Sequence, residues 1–154
     1  MIKLGVAVAV AVAACSPQTP TAAEVRAGAQ AGLMTEPLTI HSASGAHRFT
    51  VEVAATPDQQ ETGLMFRRSL AADRGMIFPY DPPQEAAFWM KNTLIPLDMV
   101  FIRPDGTIAR IATAKALDLT AVPSGEPISA VLELRGGRAA ELGIRAGDRV
   151  DWPH

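Results

Sequence analysis

Phe49, Val51 and Val53 alternate with Thr50 and Glu52, the period-two pattern of a strand with one buried face. Leu38-Thr39-Ile40 reads as its partner, joined to it through the turn formers Ser42 to Gly45. The pattern then breaks at Thr56-Pro57-Asp58-Gln59, which predicts a short helix. Thr56 can cap it, Pro57 is tolerated at the first helical position, and Gln59 stands where a capping box needs an amide. Gly63 ends that helix ahead of Leu64-Met65-Phe66.

Further apolar runs predict strands over 76–78, 86–91, 99–102, 108–112 and 130–134. Arg103-Pro104-Asp105-Gly106 is a turn, with Pro fixing an early angle and Gly allowing a positive late one, so the strands on either side should form a hairpin. Residues 139–142 have room for one helical turn before Gly143. Pro79, Pro82, Pro83, Pro96, Pro123 and Pro127 exclude long helices. Many short strands with frequent turns predict a mainly β domain, a compact antiparallel sandwich or barrel with one or two short helices. No internal repeat is visible.

The N-terminus follows other rules. Lys3 precedes an apolar run from Leu4 to Ala14, too short to span a bilayer and of the length of a secretory signal peptide, residues 1–14. It ends in Val12-Ala13-Ala14-Cys15, which resembles the lipobox of bacterial lipoproteins, where small residues precede a lipidated Cys. Cys15 is the chain's one cysteine, so no intrachain disulfide forms, and lipidation accounts for the thiol. The competing reading is an ordinary cleavage site at Ala11-Val12-Ala13 that releases a soluble protein. Ser16 after Cys15 implies, by the same resemblance, sorting to the outer membrane. Residues 15–37, rich in Ala, Pro, Thr and Gln, read as the lipidated Cys and a flexible tether. Residues 38–154 then form a single domain on the periplasmic side, with the membrane as a partner through its lipid anchor.

Of 154 residues, 14 are basic and 16 acidic, giving a net charge of −2 with no basic stripe, so nucleic acid is not an expected partner. Against that background one segment stands out. Phe88-Trp89-Met90-Lys91-Asn92-Thr93, followed by Pro96-Leu97-Asp98, places a cation, an amide and a carboxylate in an apolar run. Unpaired buried polar groups cost several kcal/mol, so these groups either satisfy one another or meet a ligand.

Together with Gly63-Leu64-Met65-Phe66-Arg67, Gly75-Met76-Ile77-Phe78, Val131-Leu132-Glu133-Leu134 and Gly147-Asp148-Arg149-Val150, this segment resembles the family catalogued as domain of unknown function 192, from Thr39 to Trp152. Ile77 stands where that family usually has Leu. The resemblance implies a compact β-rich exported domain and carries no established activity.

The residues themselves suggest a ligand site. On a strand Trp89 and Lys91 face one way, and an aromatic platform beside a cation suits an anionic sugar, a carboxylate or a cell-envelope fragment. Arg67 can hold a carboxylate with its fork, on a ligand or on Glu133. Arg67, Trp89, Lys91, Asn92, Asp98 and Glu133 are therefore the candidate ligand-binding residues. The structural alternative pairs Lys91 with Asp98 or Glu133 and uses Asn92 to close the turn over 93–96.

Two other function classes stay in view. One is an envelope-acting hydrolase using Lys91 with Asp98 or Glu133 as acid and base. The other is a purely structural accessory protein. No Ser, Thr or Cys sits in a nucleophile motif, and His41, His47 and His154 lack metal-ligand spacing. Met65, Met76, Met90 and Met99 lie in separate apolar segments and read as core rather than as copper ligands. No cofactor is expected. Gly143 to Val150 resembles a stretch of PDZ modules, but a PDZ groove needs a further helix and strand beyond it, so a tight turn feeding a last strand is expected.

Overall fold

The computed structural model describes residues 30–153. The leader, Cys15 and the tether as far as residue 29 lie outside the described residues, as does His154. The strands are β1 (Thr35–Ser42), β2 (Gly45–Val53), β3 (Arg74–Gln84), β4 (Ala87–Phe88), β5 (Leu97–Ile102), β6 (Ile108–Ala114), β7 (Val122–Pro123), β8 (Ile128–Arg135) and β9 (Arg149–Asp151). Two short helices, α1 (Pro57–Thr62) and α2 (Arg138–Glu141), interrupt them.

Seven strands form one curled sheet in the order β6-β5-β8-β3-β2-β1-β9, and β4 and β7 make a separate two-stranded ribbon. The curl brings the two edges together at one end. There Thr107 bridges Arg149, and Ile108 N donates to Asp148 O at 2.8 Å, giving a half-barrel. The mainly β expectation is met. One pairing departs from the antiparallel pattern: β2 and β3 run parallel. A parallel pair needs a crossover, and α1 with the loop after it supplies one.

Both predicted hairpins form, β1–β2 through Ser42 and Gly45 and β5–β6 through Arg103 and Gly106. At α1 the capping box is complete. Gln59 N donates to Thr56 Oγ1 at 3.3 Å, and Thr56 N donates to Gln59 Oε1 at 3.0 Å. Gly63 ends the helix at φ +47°, a conformation that side chains disfavour.

Two expectations about extent are corrected. The first strand begins at Thr35, earlier than Leu38, and Gln30 Nε2 donates to Gln59 O and Gly63 O, so packing starts within the stretch read as tether. The strand expected over 86–91 shrinks to Ala87–Phe88, because the backbone turns at Met90 to Thr93. Pro79, Pro82 and Pro83 do not end β3, since they lie where its register with β8 slips between Pro79 and Gln84.

The central strands β3, β5 and β8 are buried on both faces. Ile77, Val100, Ile102, Leu132 and Leu134 point into the curl with Leu38, Ile40, Phe49 and Val51. Met76, Phe78, Met99, Phe101 and Val131 point outward, beneath a second apolar layer that includes Leu64 and Met90. Strands covered on both sides read as mostly apolar runs, as 76–78, 97–102 and 130–134 do apart from Asp98 and Glu133.

Candidate functional site

On the outer face of the three central strands one position breaks the apolar rule. Met76, Glu133 and Met99 are directly opposite one another on β3, β8 and β5, so Glu133 sits between two buried methionines. Its residue is 5% exposed. Among the described residues no side chain or backbone group forms a hydrogen bond or ion pair with its carboxyl group. Above it lies a cavity of about 180 Å³, walled by Phe78, Tyr80, Phe88, Trp89 and Thr93. Burial pushes the Glu133 carboxyl up to about 8, so it holds its proton at neutral pH. Tyr80 is pushed up to about 12, by burial first and then by the Glu133 charge facing it.

The turn that lends Trp89 and Thr93 to the wall is tied through its backbone to two other loops. Phe66 N donates to Asn92 O at 2.8 Å, Met90 N to Asp118 O at 2.9 Å, and Leu117 N to Thr93 O at 3.0 Å. Each loop carries one non-glycine residue in the left-handed region: Phe66 at φ 64°, Asn92 at 55° and Leu117 at 61°. They are the only non-glycine residues with positive φ among those described. Asparagine tolerates that conformation, but phenylalanine and leucine do so at a cost of order 1–3 kcal/mol each. Such strain persists where surrounding contacts over-determine it, and here it gathers around the Trp89–Thr93 turn. Aromatic packing continues inward, with the Phe78 and Phe88 rings edge-to-face at 5.1 Å.

The six residues singled out from sequence do not form one cluster. Trp89 and Glu133 line the cavity. Lys91 lies beside Trp89, its Nζ 5.2 Å from the ring centroid, but is not part of the cavity wall. The proposed pairing of Lys91 with Asp98 or Glu133 is absent; neither carboxyl is within ion-pair distance of it. Asn92 turns away from the strand parity assigned to it because of its left-handed backbone, and its Nδ2 faces Met65 Sδ at 3.8 Å.

Arg67 meets Glu52, with Nη2 2.5 Å from Oε2, and not Glu133. The ion pair is close although its angles are poor for a hydrogen bond, which leaves Oε2 without a well-aligned donor. Asp98 is fully committed. It accepts from Thr113 Oγ1 at 2.7 Å, Gly137 N at 2.9 Å and Ala139 N at 2.8 Å, and so caps α2 from the neighbouring strand. The helix has glycine at its own cap position, so the carboxylate comes from elsewhere in the fold.

Phe78, Tyr80 and Thr93 line the cavity without having been singled out. Phe78 and Tyr80 are two apart on β3 and share a face, a parity that was available once Pro79 no longer ended the strand. A larger cavity, about 710 Å³, opens between Tyr80, Ile102 and Trp152, and Tyr80 lines both cavities. Its Arg149 and Asp151 are paired at 3.0 Å, and its Glu36, with one unbonded oxygen, is only partly buried. Size favours that cavity; chemistry favours the one over Glu133.

The comparisons agree with this fold. The family model of DUF192, described as "Uncharacterized ACR, COG1430", matches residues 39–152. A crystal structure of a protein of unknown function from Novosphingobium aromaticivorans DSM 12444 is 48% identical, with a TM-score of 0.77 over 79% of this chain and 87% of that one. Another, named a "putative transcription regulator" from Sinorhizobium meliloti 1021, is 42% identical with a TM-score of 0.77, covering 80% of this chain and 97% of that one. No curated protein matches.

Proposed function

Given that the chain belongs to the uncharacterised DUF192 family, we propose that its domain is a small-molecule binding module of the cell envelope, with the cavity over Glu133 as its site. The carrying observation is Glu133: a residue only 5% exposed, whose carboxyl group has no partner among the described residues, at the base of an aromatic cavity. Buried polar groups in folded proteins are satisfied, so water or a ligand in the cavity completes this one. The leader and Cys15 support a lipid anchor that holds the module on the periplasmic side, facing envelope solutes and polymers.

The hydrolase reading needs Lys91 beside a carboxylate, and their separation removes its support. A role on DNA, suggested by the name of the Sinorhizobium relative, wants a basic face that a net charge of −2 does not favour.

Native mass spectrometry of the protein expressed in a bacterial envelope tests the binding reading. Ala87, exposed at the cavity mouth, is replaced by Trp to plug it. A bound mass in the wild-type protein that is missing from Ala87→Trp is the expected result. Identical masses in both proteins, or none in either, overturns the site.

A further inference from the structure

The charges lining the cavity differ from those of the segment that first drew attention. Trp89 with Lys91 suggested an anionic ligand, yet Lys91 lies against the ring outside the cavity wall. Among the described residues lining the cavity none is basic, and two are acidic: Glu133 at the base and Glu61 of α1. Phe78, Phe88, Trp89 and Tyr80 supply ring surfaces, and Met65 adds a polarizable thioether. Aromatic faces with a carboxylate and no base in the cavity wall attract organic cations through the ring quadrupole and through charge. Trp89 already holds one ammonium group, that of Lys91.

We infer that the ligand of this cavity is a small organic ammonium ion, held by the Phe88 and Trp89 rings with Glu133 as its counter-ion. This rests on the binding reading above and names its ligand class. The charge balance is simple. With no cation beside it Glu133 keeps its proton, because a bare carboxylate between Met76 and Met99 is poorly solvated. An entering cation displaces that proton to solvent, so the buried net charge is zero before and after. The ionisable groups facing Glu133 are Tyr80 from β3 and Glu61 from α1; β5 contributes Met99, and the turn after β4 contributes Trp89 and Thr93. None of these is a cation that already neutralises Glu133. An anionic ligand would instead meet two carboxyl groups and no base.

Three probes of similar shape separate the classes: tetramethylammonium, neutral tert-butanol and anionic pivalate, each titrated calorimetrically into the full-length protein. Tetramethylammonium is expected to bind at least tenfold more tightly than either at pH 8. Its affinity should rise about tenfold from pH 7 to pH 9 as Glu133 ionises. At pH 7 it should release close to one proton, read from buffers of different ionisation enthalpy. Glu133→Gln keeps the shape and should erase both the preference and the pH dependence. Tert-butanol or pivalate binding as tightly as the cation, and blocked by Ala87→Trp, overturns the cation and leaves the cavity as a binding site. Cation binding that is indifferent to pH in the wild-type protein overturns it equally. Failure of all three probes, with no mass lost on plugging, overturns both readings.

Discussion

Asp98 and Glu133 are buried carboxyl groups on neighbouring strands, and the fold treats them in opposite ways. Asp98, 1% exposed, takes three hydrogen bonds and completes the start of α2. Glu133, 5% exposed, takes none and faces a cavity. Burial alone therefore does not separate structure from function here; the partners do. A polar group whose bonds are filled by backbone N–H is part of the scaffold, and one left open toward a cavity is available to something else.

Removing Asp98 should produce the largest effect. Asp98→Ala strands Gly137 N, Ala139 N and the Thr113 hydroxyl in a protein interior, at roughly 1–3 kcal/mol for each group water cannot reach. A loss of about 4 kcal/mol is expected in urea unfolding at pH 7. The loop cannot shift to compensate. A Cβ at Gly136 would lie 2.8 Å from Pro96 Cβ, so the chain there is already packed against β5's approach. A loss below about 1 kcal/mol would mean that Asp98 is not the cap it resembles.

Glu133→Gln should act in the other direction, and only at some pH values. The folded protein keeps the Glu133 proton up to about 8, whereas the unfolded chain loses it near 4.5. Between those values the native state binds the extra proton, so wild-type stability falls as pH rises, by at most about 1.4 kcal/mol per unit. Above about 8 the loss from this group levels off. Water entering the cavity softens the slope, and about 2 kcal/mol over the whole window is expected. Glu133→Gln should match wild type at pH 5 and exceed it by about that amount at pH 8.5. Glu141 is held below the usual carboxylate range by Arg135 and Arg138, and Asp105 and Asp118 by Thr107 and Thr120. Their contributions are lost only as pH falls, and they cancel between the two proteins. Parallel pH curves for the two proteins would place a hidden partner on Glu133.

How much of this contrast was legible in the chain depends on the range of each contact. Alternation at Phe49 to Val53 and the turns at Ser42 to Gly45 and Arg103 to Gly106 are local, and both hairpins follow from them. The capping box at Thr56 is equally local. The parallel β2–β3 pair was not legible, because its register depends on a crossover of some twenty residues rather than on a turn. Glu133 was visible as a charge in an apolar run. Whether it had a partner was decided by the paths of three loops, and the left-handed Phe66 and Leu117 carry no sequence mark. Lys91 misled for the same reason. Strand parity put it beside Trp89 correctly, although the strand ends at Phe88, but proximity to Asp98 in sequence said nothing of the fold.

Lys91 provides the smallest and most discriminating effect. Its ammonium group rests on a Trp89 ring that is 50% exposed, with no ion pair among the described residues, a contact worth roughly 0.5 kcal/mol. Lys91→Ala should therefore change urea stability by no more than that, and should leave the pH dependence assigned to Glu133 unmoved. A cation coupled to Glu133 would stabilise its charged form and reduce the fall of stability toward pH 8. Removing such a cation would steepen that fall. If Lys91→Ala steepens it by more than about 1 kcal/mol over the window, the two residues interact, Glu133 is not unpartnered, and its contrast with Asp98 collapses. If the curve stays in place, the lysine of the Trp89–Thr93 turn belongs to the surface, and Glu133 keeps its contrast with Asp98 as the carboxyl group left open to the cavity.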